Sequence, residues 1–209
     1  MSVAERLEEL RARIVEAGGD LERIRIVAAT KGQPVARVQE AVAAGLEDLG
    51  ETKAQELLAK AEVVEGVRWH FIGRVQRNKV RQVAGFVHLW HSVDRLSLAA
   101  EIARHAPGAA VLVQVNVSGA EQQGGCPPER VAAVVEGCRD LGLDVRGLMA
   151  IGPLAGDDEV RAAYRTVRQQ ADHLGLPECS MGMSGDLEAA VAEGATIVRI
   201  GTDLLGPRP

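Results

Sequence analysis

IRIVAATKGQPVARVQEAVAAG, residues 24–45, runs from a largely apolar stretch through Lys31 and a Gly-Gln-Pro turn into a helical pattern that stops at Gly45. The apolar run at 24–30 reads as a buried strand, and the stretch at 35–45 as a helix closed by a glycine able to adopt the left-handed cap conformation. An ammonium is costly to take out of water, so a lysine at the mouth of such a core needs something to face.

The same unit recurs along the chain. Apolar runs at 46–51, 68–73, 86–92, 109–118, 145–152, 178–184 and 196–202 bring the number of expected strands to eight. Helical patterns fall between them at 54–64, 76–84, 95–106, 128–141, 158–175 and 186–194, several closed by glycine. An amphipathic helix over residues 2–18, with Leu7, Leu10, Ile14 and Val15 on one face, precedes the first strand. Strands alternating with helices, without hairpin signals, pair in parallel through right-handed crossovers. Eight such units predict an α/β fold, a single (β/α)₈ TIM barrel spanning residues 1–209 and nearly bare of insertions. A doubly wound open sheet is the competing architecture.

Composition sets the outer bounds. With 209 residues, 46% of them hydrophobic, the chain is long enough to bury a substantial core. A net charge of -5 gives no general support for a nucleic-acid or anionic-membrane partner. The N-terminus lacks the apolar core of a signal peptide, and no stretch approaches a membrane span, so a cytoplasmic protein is expected. Cys126, Cys138 and Cys179 are widely spaced, without a CxxC pair, and His88, His91, His105 and His173 show no metal-ligand spacing. Small semi-buried thiols and no metal are expected.

In a barrel of this kind chemistry collects at the C-terminal ends of the strands. The polar residues there include Lys31, Glu51, Thr52, His70, Ser92, Asn116, Met149 as a softer neighbour, Ser180, Ser184, Arg199, Gly201 and Thr202. SMGMSGD at 180–186 puts Ser180, Gly182 and Ser184 on one side by the two-residue period, ahead of a helix start, and VRIGTD at 198–203 ends in Gly201 and Thr202. Hydroxyls and exposed backbone N–H groups converging there suit a phosphate, although turn glycines and capping serines would read the same way. Arg199 lies in phase with Ile197 and Gly201, so it points inward and needs an acceptor: either a salt bridge across the barrel, for instance to Glu51, or a ring nitrogen or phosphate of a ligand. An amine, an inward guanidinium and a phosphate cradle together match the aldehyde, ring nitrogen and phosphate of pyridoxal 5′-phosphate.

The segments VAATKGQPVARVQEAVAAG, LGETKAQELL, WHFIGRVQRNKVR, HSVDRLSLA, VLVQVNVS, RGLMAIGP and CSMGMSGDLEAAVAEGATIVRIGTDLLGPR resemble, in order, the successive blocks of the pyridoxal phosphate homeostasis proteins. The resemblance implies a barrel like the N-terminal domain of alanine racemase, without the second domain. It implies an internal aldimine at Lys31, phosphate bound around Ser180, Gly201 and Thr202 with Ser184 as a secondary candidate, Arg199 beside the pyridine nitrogen, and His70 and Met149 in the cofactor's surroundings. Two positions depart from the family pattern. Thr52 stands where asparagine is usual, and Gln123 lies in a loop that often carries a lysine, which puts a hand-over role of that loop in doubt.

The expected function is therefore binding of pyridoxal phosphate in its homeostasis, holding and buffering the aldehyde and passing it to apo-enzymes that use it, with little catalysis. An arginine at the pyridine nitrogen makes the ring a weaker electron sink than a carboxylate would. Racemisation needs a second acid–base residue, and the chain's single tyrosine, Tyr164, falls on an expected helix. The alternatives are a small amino-acid racemase or lyase, and a barrel for another phosphorylated metabolite. Trp69, Phe71, Phe86 and Trp90 are expected to pack between strands and helices, and Arg74, Arg77, Lys79 and Arg81 to form a solvated basic face. Charged outer helix faces suit a monomer.

Overall fold

Period-two alternation decides which side chains enter the barrel and which meet the helices. The computed structural model describes residues 1–208, with Glu121 by its backbone alone. Eight strands, β1 (Arg25–Ala29), β2 (Asp48–Glu51), β3 (Arg68–Phe71), β4 (Val87–Val93), β5 (Ala110–Val115), β6 (Asp144–Ala150), β7 (Glu178–Ser180) and β8 (Ile197–Ile200), close into a barrel in sequence order. Every adjacent pair is parallel, including β1 with β8, so the open-sheet alternative is excluded.

The helices wrap this barrel: α1 (Val3–Glu16), α2 (Val35–Ala43), α3 (Ala54–Ala61), α4 (Arg77–Val83), α5 (Leu96–His105), α6 (Val131–Asp140), α7 (Asp157–His173), α8 (Leu187–Ala192) and a short α9 (Thr202–Leu205). α1 precedes the barrel as the sequence predicts. Ser2 caps it in a reciprocal capping box with Glu5, satisfying donors that the first turn leaves free. Its buried face, Val3, Leu7, Leu10 and Ile14, packs against α2, α8 and α9.

Two apolar layers result. Inside the barrel lies a small cluster of Val27, Leu89, Leu112, Met149 and Ile197. Outside it, residues of opposite phase such as Leu49, Trp69, Phe71, Trp90, Val113 and Val198 form the larger core against the helices. Phe71 and Trp90 stack with ring centroids 5.7 Å apart. Phe86 departs from the expectation: it precedes β4 and is exposed, because the strand begins one residue later and the chain there is still at the rim. Gly147 on β6 is required by close approach to β7, since a Cβ there would sit 2.0 Å from the Glu178 carbonyl oxygen.

The strand expected at 178–184 ends at Ser180, and the one expected at 109–118 ends at Val115. Residues 181–186 and 116–126 instead become loops over the C-terminal mouth, the second including a 3₁₀ turn at Glu121–Gln123. Among the described residues no helix is long and apolar enough to cross a membrane. The three cysteines are free and buried, and burial pushes the Cys126 and Cys138 thiols up to about 11 and that of Cys179 up to about 12.

Candidate functional site

The C-terminal mouth of the barrel holds a cavity of about 630 Å³, within the range of small-molecule sites. Among its lining residues are Lys31, Thr52, Ser184, Arg199, Gly201 and Thr202, contributed by the chain just after β1, β2 and β7 and by the end of β8. Exposed Lys31 directly follows Thr30 in the turn after β1, and Gly32 beside it adopts φ 69°, a left-handed conformation that favours glycine. The Gly32 N–H donates to Glu56 Oε2 at 2.7 Å, which ties this turn to α3.

The turn is also anchored from below. Glu51 and Thr30 belong to the outward phase of their strands, and there they meet Lys60 of α3. The Lys60 ammonium pairs with Glu51 and donates to the Thr30 carbonyl oxygen at 2.7 Å, while the Thr30 hydroxyl donates to Glu51 at 2.6 Å. Glu51 is thus on the opposite face of the sheet from Arg199, and the salt bridge across the barrel considered for that arginine is not made. Lys60 itself reads in sequence as one more charge on an amphipathic helix.

Arg199 projects inward from β8. Its Nη1 donates to Ser180 Oγ at 2.6 Å and its Nη2 to the Ala150 carbonyl oxygen at 2.9 Å. Burial lowers its pKa from the ordinary arginine value, opposed by the nearby Tyr164 and Asp186. Ser184 accepts from the Asp203 N–H at 3.4 Å, linking the loop after β7 to α9 and leaving its own O–H free to turn toward the cavity. Arg74 and Arg208 bring two further guanidinium groups to the rim, and neither they nor Lys31 makes an ion pair among the described residues. Arg74 therefore joins the mouth as well as the basic face on which sequence placed it, and Arg208 was not anticipated at all.

Three expected site residues lie elsewhere. Met149 belongs to the apolar cluster inside the barrel, and His70 and Ser180 are fully buried there as well, none of them lining the cavity. Ser180 has both its hydroxyl roles engaged, by Arg199 and by His91, because its strand stops before the mouth. Ser184, Gly201 and Thr202 line the cavity, and Ser180 lies beneath it. His70 bonds to Asp48 and His91, each at 2.8 Å.

Thr52 and Gln123, where the resemblance leads one to expect other residues, both line the cavity. The Thr52 hydroxyl is buried with no hydrogen-bond partner among the described residues, an orphan at the cavity wall. Gln123 accepts through its backbone carbonyl from Gln114 and through its side-chain oxygen from Ser118, so it fastens the loop after β5. Tyr164 is buried, donating to Asp186 at 2.6 Å and accepting from the Gly152 N–H at 3.2 Å. Among the described residues no cluster of three His, Cys, Asp or Glu could hold a metal ion.

An amine, a donor-only guanidinium and a wall of hydroxyls and backbone N–H groups line the mouth of a closed eight-stranded barrel. No protein-family model matches the chain. It is 44% identical over 221 residues to the pyridoxal phosphate homeostasis protein of Pseudomonas aeruginosa, covering 99% of this chain and 96% of the other. It is 41% identical to that of Aquifex aeolicus over 226 residues, covering 100% and 99%. The chain belongs to the pyridoxal phosphate homeostasis protein family. PipY of Synechococcus elongatus, solved with PLP bound, superposes with a TM-score of 0.86 at 34% identity over 98% of this chain and all of that one. Alanine racemase of Clostridium difficile shares the fold alone, with a TM-score of 0.71, 15% identity, and coverage of 96% of this chain but 56% of that one.

Proposed function

We propose that the protein binds pyridoxal 5′-phosphate at the barrel mouth, holds it covalently but reversibly on Lys31, and serves as a reservoir from which enzymes that need it are supplied. The observation that carries this reading is the placement of Lys31, Arg199 and the Ser184–Gly201–Thr202 wall around one cavity. When bound, the cofactor supplies an aldehyde that condenses reversibly with a primary amine. Lys31 is the amine for that role. Ser184 and the backbone N–H groups at Gly201 and Thr202 would hold the phosphate, with Arg74 and Arg208 adding positive field at the rim. The orphaned Thr52 hydroxyl would find its missing partner on the ligand, a second point at which the residues present fit this group.

The same geometry favours binding over catalysis. A guanidinium has only donors, so Arg199 suits an unprotonated ring nitrogen and does not strengthen the ring as an electron sink. Tyr164 is bonded to Asp186 and Gly152 and is not free to serve as a second acid–base group at the cavity. An open mouth on a monomer would let the ligand leave.

Adding pyridoxal phosphate to the purified chain is expected to produce a visible absorbance that Lys31→Ala abolishes. A panel of amino acids incubated with the loaded protein in deuterium oxide is expected to show no α-deuterium incorporation at enzyme-like rates. Rapid incorporation would favour the racemase or lyase reading, and a wild type that stays colourless would refute the binding itself.

A further inference from the structure

A chain of five polar side chains crosses the barrel interior from its N-terminal rim to the cavity floor. Arg199 Nη1 bonds to Ser180 Oγ at 2.6 Å, Ser180 Oγ to His91 Nδ1 at 2.9 Å, His91 Nε2 to His70 Nδ1 at 2.8 Å, and His70 Nε2 to Asp48 Oδ1 at 2.8 Å. The two imidazoles, Ser180 and Asp48 come from four strands, β4, β3, β7 and β2, and all four are buried. Nothing in ordinary barrel packing asks for this. Interior positions of such barrels are usually filled by branched apolar residues.

Its two ends fix its direction. Arg199 can only donate, so Ser180 must accept from it and has one O–H left to give, to His91 Nδ1. His91 then carries its proton on Nε2 and donates to His70 Nδ1, and His70 in turn donates from Nε2. At the far end Asp48 is acceptor-only when ionised, and its two oxygens also receive Arg68, at 2.8 Å and 2.7 Å. In this pattern every bond points from the cavity toward Asp48, each donor including the Ser180 hydroxyl has an acceptor, and both histidines are neutral. Burial acts the same way, lowering both imidazoles, His91 most. The charges facing the chain are Arg25 on β1, Arg68 on β3, the exposed His88 on β4 and Glu178 on β7 at the lower rim, with Arg199, Tyr164 and Asp186 above.

We propose that Asp48, His70, His91 and Ser180 are positioning residues that lock the Arg199 guanidinium, so that its remaining N–H donors face the cavity and select a ring presenting a bare nitrogen lone pair. This rests on the reading of the cavity as a pyridoxal phosphate site. Each link needs the next to stay in its tautomer, so loss of His91 would free Ser180 to rotate and Arg199 to follow. Discrimination against a ring without an acceptor nitrogen is then a property of the whole relay, because a site built to bond a ligand atom rejects the analogue that lacks it.

The relay itself is tested on the ligand-free full chain by ¹⁵N NMR of labelled histidines. Both His70 and His91 are expected to remain neutral, with the proton on Nε2, from pH 5 to 8. An imidazolium or an Nδ1–H form at either residue in that range would overturn the relay.

Its consequence is tested by binding titrations with pyridoxal phosphate and its 1-deaza analogue, in which carbon replaces the ring nitrogen. Wild type is expected to prefer the natural compound by about tenfold or more, His91→Leu to lose most of that preference while Lys31 is still labelled, and His91→Gln, which keeps a donor and an acceptor, to retain it. Unchanged discrimination in His91→Leu would overturn the positioning role. A wild type that binds neither compound would contradict the proposed function instead, leaving the histidine spectra to decide the relay.

Discussion

Arg199 on β8 and Ser180 on β7 are joined by a 2.6 Å hydrogen bond in which the serine oxygen accepts, and the same oxygen lies 2.9 Å from His91 Nδ1. This bond separates the polar interior of the barrel from the cavity above it. The serine that sequence assigns to a ligand's phosphate is part of the scaffold holding the arginine.

Asp48 terminates that scaffold, and its pKa gives it a pH signature. Burial by itself would raise the carboxyl, but the hydrogen bonds from Arg68 and His70 outweigh burial and hold it well below the usual range. A depressed folded-state pKa stabilises the fold above the unfolded value, about 3.9, and this contribution is lost as pH falls through the folded value. Asp48→Asn is expected to cost about 2 kcal/mol near pH 7. Urea denaturation from pH 7 down to pH 2 should show a constant gap between the two proteins above about pH 5 that narrows progressively below about pH 4; a gap that stays constant to pH 2 would contradict the assignment.

Lys60 and Glu51 form a buried pair beneath the Lys31 turn. Removing one partner strands the other, so Lys60→Met is expected to lose about 3–5 kcal/mol. The double variant with Glu51→Gln should recover part of that loss. Denaturant midpoints of the two variants and wild type provide the check.

Thr52 is expected to behave oppositely with and without ligand. Its hydroxyl has no partner among the described residues, so Thr52→Val should leave the ligand-free melting temperature unchanged or slightly higher, by up to about 1 kcal/mol of stability. The same change should weaken pyridoxal phosphate binding several-fold. Thermal melts with and without the cofactor read both effects.

Tyr164 separates a structural tyrosine from a catalytic one. Tyr164→Phe removes the bonds to Asp186 and Gly152 and is expected to cost about 1–2 kcal/mol. Any slow α-proton exchange by the loaded protein should be the same in the variant. A selective loss of exchange would place the phenol in the chemistry.

Much of this architecture is legible from local pattern. Glycine stops such as Gly45 and two-residue alternation such as Ile197 with Arg199 define eight strand–helix units, and the inward phase of Arg199 follows from them. The relay is not legible, because His70, His91 and Ser180 lie 21 and 89 residues apart and meet only through strand register around the barrel. His91 offers no metal spacing and so reads as an ordinary core histidine. Lys60 escapes for a different reason: a lysine on a helix suggests solvent until the outward-facing Glu51 is placed opposite it. The depth of Ser180 is not legible either, because period two gives the face but not the height, and the residue is buried at the end of β7 without lining the cavity.

The central claim, reversible covalent holding of pyridoxal phosphate by one amine at the barrel mouth, is tested most directly by borohydride reduction of the loaded protein followed by peptide mass spectrometry. A single stoichiometric phosphopyridoxyl modification on Lys31 is expected. Modification of another lysine such as Lys60 or Lys79 in its place, or none at all, would contradict it.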